Sequence, residues 1–309
     1  MKYREFGKTG IKVSEVGMGC WAIGGNQFGN SYGSTDDVAS IKTIKRAMEL
    51  GCDFFDTADV YGHGHSEELL GLALHKSRDK VFIATKVGGA YMYGGNPNWG
   101  SVNFSEDYIR FALEKSLQRL KTSYLDLYQL HNPPLQLIKD GKIFDVLGEL
   151  KKEGKIKFFG ISIHTWEEGE AALKHEIDSI QCVFNMLDPK QYEVIEGARV
   201  KGVAIIAREP LCNGFLVDNP KRGPFEEGDI RNQMPKNYVE NLAGAAKELR
   251  EMFKYREEPL SQIALKYVLM SKGVSVTIPG AKTPEQLEQN LKASDIPDLT
   301  EKDLELLGS

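Results

Sequence analysis

The sequence predicts an α/β protein folded as a (β/α)8 TIM barrel, with an N-terminal β-hairpin and extended loops on the C-terminal face. Three observations predict it. Short apolar runs alternate with helix-length amphipathic stretches along the whole chain. The runs are apolar almost throughout, as parallel strands covered on both faces must be. There are eight such β-then-α units, the number that closes a barrel. A doubly wound open sheet is the rival, and it expects a Gly-rich phosphate turn after an early strand. The stretch GHGHSE, residues 62–67, lacks the third glycine of GxGxxG, and no Walker A sequence occurs. Although 309 residues is a length that often divides, barrels of this kind hold it in one domain, so residues 1–309 are read as a single unit.

The elements follow in order. KYREFG, a KTG turn and IKVSEVGMG read as the opening hairpin. The strand candidates are VGMGC (16–20), CDFFDTA (52–58), KVFIATK (80–86), YLDLYQLH (124–131), IKFFGIS (156–162), SIQCVFN (179–185), GVAIIARE (202–209) and GVSVTIPG (273–280). Helices are expected between them over 36–50, 66–76, 105–120, 142–153, 165–175, 189–200, 260–271 and 284–293. In 105–120, Ser105 can cap, Glu106 and Asp107 suit the positive end of the dipole, and Ile109, Leu113, Leu117 and Leu120 form one apolar stripe. Two connections exceed normal loop length, 88–103 and 212–235, and both follow strand ends. Long connections in a barrel are binding loops or lids, and here they fall on the C-terminal face.

Composition narrows the function classes. The chain is 41% hydrophobic and 27% charged with a formal net charge of -5, and its Lys and Arg residues are scattered, which argues against a nucleic-acid partner. MKYREFGKTG has no apolar leader core, and no run approaches the ~18 apolar residues of a membrane span, so a cytoplasmic protein with a small-molecule partner and no membrane contact is expected. Cys20, Cys52, Cys182 and Cys212 form no CxxC and read as buried thiols. Asp126, inside an apolar strand, reads as a buried structural acid, and His63 and His65 as a solvated loop.

The chemistry gathers at strand ends. Asp56 and Lys86 close apolar runs, His131 closes a third, and Tyr61 follows five residues after Asp56. In a barrel these strands are neighbours, so the four side chains can converge. A phenol with a pKa of about 10 is a weak acid at neutral pH. An ammonium beside it lowers that value, a carboxylate keeps the ammonium charged and oriented, and an imidazole can polarise a carbonyl or share the proton. Such a set activates a carbonyl. No activated nucleophile accompanies it, since GISIH is not GxSxG, and hydride from a nicotinamide is the natural complement. Tyr91, Tyr93 and Trp99 could wall a pocket or simply pack.

These residues carry a resemblance. REFGKTGIKVSEVGMGCW, FFDTADVYGHGHSEELLG, VFIATK, YIRFALEKSLQRLKTSYLDLYQLH and IPGAKTPEQLEQN, in this order, resemble an aldo-keto reductase, especially the bacterial branch near inositol-operon-type and channel-β-like members. The resemblance implies NADP(H), with NAD(H) as the second choice, and maps the family's catalytic tetrad onto Asp56, Tyr61, Lys86 and His131. It implies that Ser162 and Gln181 hold the nicotinamide carboxamide, although Ile163 stands where Asn is common. After strand seven, Arg208, Glu209, Pro210 and Leu211 replace the usual aromatic-Ser-Pro-Leu, with Gly214 following. Arg208 could then stack on the nicotinamide and, unless Glu209 neutralises it, favour the reduced form. Gly280, Lys282, Gln286 and Asn290 match the adenosine phosphate clamp, Gln286 standing where many NADPH-preferring members carry Arg. Lys221, Arg222 and Arg231 could fold over the pyrophosphate or lie in solvent. Trp21, Tyr61, His131 and Trp99 suggest a pocket for a small or medium aldehyde, ketone or sugar.

Two other functions fit parts of the sequence. A nucleotide-sensing subunit of channel-β type would keep the fold for partner binding with slow turnover. A metal-dependent barrel hydrolase would use His63, His65, His131 and His164, but it requires HxH projecting from a strand, and no metal is expected.

Overall fold

The computed structural model of the chain describes residues 1–27, 31–89 and 102–307. Eight parallel strands form its centre: β3 (Met18–Gly19), β4 (Phe54–Asp56), β5 (Phe82–Val87), β6 (Leu125–His131), β7 (Ile156–Ser162), β8 (Ser179–Val183), β9 (Ala204–Arg208) and β10 (Val274–Thr277). They pair strictly in sequence order from β3 to β10. The two ends of the sheet then meet, because Gly17 N donates to Thr277 O at 2.8 Å and Gly19 N to Pro279 O at 3.0 Å. Closure demands a close backbone approach at Gly19, where a Cβ would lie 2.6 Å from Ile278 O. The strand edges that an open sheet would leave are thereby paired.

Helices cover the outside: α1 (Asp37–Glu49), α2 (His65–Leu74), α3 (Glu106–Arg119), α4 (Leu135–Asp140), α5 (Lys142–Lys152), α6 (Trp166–Ala172), α7 (Tyr192–Lys201), α8 (Lys236–Met252), α9 (Leu260–Met270), α10 (Pro284–Leu291) and α11 (Glu301–Leu306). Their starts are set locally. Asp36 accepts from Ala39 N, Ser105 from Tyr108 N and Thr283 from Gln286 N, while Thr165 and Glu168 form a capping box. Between helices and strands lies the main apolar layer, which includes Ile44, Phe55, Leu70, Leu113 and Leu147.

A separate apolar cluster fills the barrel and holds Phe54, Phe82, Ala84, Leu127, Ala204, Ile206 and Val276. The hairpin β1 (Tyr3–Glu5) and β2 (Lys12–Ser14) plugs its bottom by adding Phe6 and Val13. Phe6 lies 5.0 Å from the Phe82 ring centroid, and Phe54 stacks on Phe82 at 5.1 Å. Each such fully buried aromatic contributes about 1.5–3 kcal/mol of burial. This apolar floor leaves polar chemistry to the other end.

The expected barrel, hairpin and C-terminal loop over 212–235 are all present, and the differences are local. The first strand shrinks to Met18–Gly19 and the second to Phe54–Asp56. His65 is the first residue of α2 rather than part of a loop, its ring 2.9 Å from Asp37. Helix α8 follows the 212–235 loop and builds a third cluster with α9 through Val239, Leu242, Ala243 and Ala246. All four cysteines are free and buried. Asp126 is a buried structural acid, bonded to Arg78 at 2.7 Å, Lys157 at 2.8 Å and the Ile83 N–H at 3.0 Å. Among the described residues no helix is long and apolar enough to cross a membrane.

Candidate active site

Period-2 alternation inside a closed barrel sends every second side chain inward, and at the C-terminal rim those positions are polar. Asp56 ends β4, Lys86 is next to last in β5, and His131 ends β6. Tyr61 opens a short 3-10 turn beyond β4. The turn needs glycine at its second position: Gly62 has φ +58°, and a Cβ there would lie 2.1 Å from Gly24 O. This packs the Tyr61 turn against the 22–24 turn and brings the Trp21 ring to 6.3 Å from Tyr61.

The four side chains converge. Lys86 Nζ, wholly buried, donates to Asp56 Oδ1 at 2.6 Å, to Thr57 O at 2.8 Å and to the Tyr61 hydroxyl oxygen at 3.0 Å. The His131 ring stands edge-on to Tyr61, with centroids 5.9 Å apart. Asp56 Oδ2 accepts from Gln181 Nε2 at 2.8 Å and from Gln129 Nε2 at 3.4 Å. Both carboxylate oxygens are therefore engaged, and the buried ammonium uses all three donors.

The electrostatics correct one expectation. Burial pushes the Tyr61 phenol above its ordinary value, and the charges of Lys86 and Arg208 oppose this without reversing it. The phenol is neutral at neutral pH. Burial also works against charge on Lys86, but Asp56 and Tyr61 outweigh it and raise its pKa. Burial, then the positive charges of Lys86 and Arg208, hold His131 well below the usual imidazole range, so the ring is neutral.

From this cluster a cleft of about 810 Å³ runs to the N-terminus of α10. Trp21, Tyr61, His131, Gln181 and Arg208 line its deep end, Pro210, Leu211 and Gly214 its middle, and Gly280, Lys282, Gln286 and Asn290 its far end. Ser162 is buried just beneath and donates to Asn132 Oδ1 at 2.9 Å. Asn132 itself lines the cleft, so Ser162 reaches it through Asn132. Gln181 has its Nε2 on Asp56. Arg208 pairs with Glu209 and donates to Ile163 O at 3.1 Å, with His164 Nδ1 also at 3.1 Å. Arg208 thus carries Glu209 as its counter-ion, the alternative that the expectation for this residue named. Trp99, Tyr91 and Tyr93 lie outside the described residues.

A strap from the 212–235 loop lines the cleft and ties to the segment before α1. Ile230 N donates to Ser31 O at 2.9 Å, and Glu226 accepts from Ser34 N at 3.2 Å and Ser34 Oγ at 3.0 Å. Lys282 donates to Ser34 O at 3.0 Å and to Tyr32 O. Arg231 pairs with Asp229 at 2.7 Å and lies 4.3 Å over the Phe225 ring. Lys221 and Arg222 are both exposed, and Lys221 is at the cleft's lining.

Sequence reasoning missed Asn132, Gln129, Tyr32 and Asn213. Gln129 precedes His131 by two, so strand alternation could have found it, whereas Asn132 follows the strand with a left-handed backbone, φ 53°, and alternation would have sent it to the other face. Tyr32 and Asn213, bonded at 2.7 Å, are 181 residues apart and carry no local signal. Among the described residues no group of three His, Cys, Asp or Glu side chains could hold a metal ion.

The set fits a nicotinamide dinucleotide. At its deep end, proton-transfer groups stand beside a guanidinium whose buried Nε has no partner. At its far end, a helix N-terminus with Lys282 suits phosphate. Comparison with known proteins accords with this. The model of the Aldo/keto reductase family matches residues 21–309. The chain is 32% identical over 310 residues to uncharacterized oxidoreductase YqkF of Bacillus subtilis, covering 100% of this chain and 96% of that protein. It is 30% identical to aldo-keto reductase yakc [NADP(+)] of Schizosaccharomyces pombe, covering 91% and 84%. The structure of the glycerol dehydrogenase AKR11B4 from Gluconobacter oxydans superposes with a TM-score of 0.83 at 28% identity, covering 99% and 94%.

Proposed function

The chain belongs to the aldo/keto reductase family, and on that premise we propose that it moves hydride between a nicotinamide cofactor and a small carbonyl or alcohol, with Tyr61 as the proton donor or acceptor. The cofactor is NADP(H), with NAD(H) as the second choice. One observation carries the reading: a single buried ammonium, Lys86, donates to both Asp56 and the Tyr61 oxygen at the head of a long cleft.

The roles follow from donor counting. Because Lys86 donates to the Tyr61 oxygen, the phenol's own hydrogen is free to point into the cleft. A carbonyl oxygen placed there receives it in reduction and returns it in oxidation. The phenol is a usable acid because burial keeps it protonated, while Lys86 stabilises the phenolate left behind. Asp56 holds that ammonium charged, and Gln181 holds Asp56. His131, neutral, offers one N–H to the same carbonyl oxygen. Bound beside these groups, the cofactor supplies the hydride to the carbonyl carbon. Lys86 and Asp56 are buried beneath the cleft, where their interaction with the phenol is screened less than it would be in water.

The choice of cofactor rests on Lys282. Two of its donors go to Tyr32 O and Ser34 O, and the third remains for a 2′-phosphate. The NADP(+) in the name of the yeast relative supports the same choice. Glu226 and Glu285 line the same end of the cleft, and their carboxylates oppose a 2′-phosphate, which is why NAD(H) stands as the second choice.

A screen of aldehydes, ketones and polyols against NADPH and NADH tests the proposal, with cofactor fluorescence titration alongside. We expect binding and turnover with at least one substrate class, NADPH giving the higher kcat/KM. Tight cofactor binding with no turnover across the panel would favour a nucleotide-sensing subunit. Failure to bind either dinucleotide would overturn the proposal.

A further inference from the structure

Glu209 has no role in the scheme above, yet it is held as if its position mattered. Its backbone is left-handed, φ 54°, a conformation that costs any residue with a Cβ. Three contacts enforce it: Cys212 N donates to Glu209 O at 2.9 Å, Asn185 Nδ2 to the same oxygen at 3.0 Å, and Asn213 Nδ2 to Glu209 Oε2 at 3.3 Å. Asn213 is oriented in turn by the Tyr32 hydroxyl at 2.7 Å. The outcome is that Glu209 Oε1 meets Arg208 Nη1, both side chains lining the cleft.

Arg208 is positioned to act on the cofactor ring. It ends β9, its charge lowers both Tyr61 and His131, and its buried Nε has no partner. A carbon receiving or giving hydride must lie beside the Tyr61 hydroxyl, so the nicotinamide lies within the field of Arg208. That ring is neutral when reduced and carries a positive charge when oxidised. An uncompensated guanidinium would repel only the oxidised form.

We infer that Glu209 is a specificity-determining residue for the oxidised cofactor: by neutralising Arg208 it lets the cleft hold both redox forms, so that alcohol oxidation remains open as well as carbonyl reduction. The inference rests on the nicotinamide reading above. It accounts for the strained backbone and for the Asn213–Tyr32 brace, neither of which hydride transfer requires.

The test measures equilibrium binding without turnover. Dissociation constants of the wild type, Glu209→Gln, Arg208→Gln and the double variant are determined for NADP+ and NADPH by intrinsic fluorescence quenching and calorimetry. Glu209→Gln keeps an oxygen acceptor for Arg208 and removes the charge, giving up only the bond from Asn213 Nδ2, which an amide nitrogen cannot accept. It should raise the dissociation constant for NADP+ about tenfold while that for NADPH moves less than about twofold, the size expected for a unit charge at the wall of a partly solvated cleft. Arg208→Gln should shift the ratio the opposite way, a result that stands even if Glu209→Gln does not fold. The double variant should return the ratio to within about twofold of the wild type. Equal effects on both redox forms in the single variants would overturn the inference. A wild type that binds neither form would instead overturn the nicotinamide reading.

Discussion

At the scale of single residues, Lys86 decides the site. Its ammonium is wholly buried and bonded to Asp56, so removing it leaves a buried carboxylate with only amide donors. Stranding one partner of a buried pair costs about 3–5 kcal/mol. Lys86→Met should lower the free energy of unfolding by that amount, read from urea midpoints at constant m. It should also lower turnover by about 10²–10⁴-fold, since the phenol loses the cation that stabilises its conjugate base. His131 gives a pH signature. Its folded pKa lies well below the unfolded value of about 6.5, so the stability it contributes is present above about pH 6.5 and is lost as the pH falls through the folded value. His131→Asn should therefore lose less stability than the wild type between about pH 7 and pH 5. Parallel losses in the two proteins would contradict the neutral, buried imidazole.

The convergence of Asp56, Tyr61, Lys86 and His131 was legible in the sequence because titratable side chains at or just beyond the ends of otherwise apolar strands have no solubility explanation. The sign of the Tyr61 shift was not legible, because it depends on how deeply the turn after Gly62 sinks the ring, and burial outweighed the neighbouring cation. Gln181 shows another limit. An inward amide on a strand reads identically whether it faces a ligand or a carboxylate across the barrel, and here its Nε2 faces Asp56.

At the scale of elements, closure of the sheet is the critical event. Strand β3 is only Met18–Gly19, and it joins β10 through a backbone approach that tolerates no side chain at Gly19. Gly19→Val should destabilise the protein by more than about 2 kcal/mol, because the clash is with the backbone carbonyl of Ile278 and no rotamer relieves it. A thermal midpoint within 2–3 °C of the wild type, the shift of about 1 kcal/mol for a chain this size, would contradict that. Strands β4 to β10 were readable because each is a compact apolar run with its own flanking helix. Helix α8 was not, since its buried face is made partly of Ala243 and Ala246, which weaken the apolar stripe, and it begins directly after a long loop. The strap is invisible for a different reason: Glu226 meets Ser34 across 192 residues.

At the scale of the whole molecule, the barrel divides labour along its axis. The lower end is an aromatic plug of Phe6, Phe54 and Phe82, and the upper rim collects polar groups from successive strands over one cleft. We propose that the entire chain folds as one unit, because the α8–α9 cluster shares Tyr267 with the main apolar layer. Denaturation followed by far-UV circular dichroism and by tryptophan fluorescence should then give coincident transitions. The central claim, that the rim assembles a phenolic proton donor beside a nicotinamide cleft, is tested most directly by Tyr61→Phe. The account predicts that loss of the hydroxyl lowers carbonyl reduction by at least about 10²-fold while the dissociation constant for NADPH changes less than about threefold. Turnover that survives the substitution near wild-type level would contradict it.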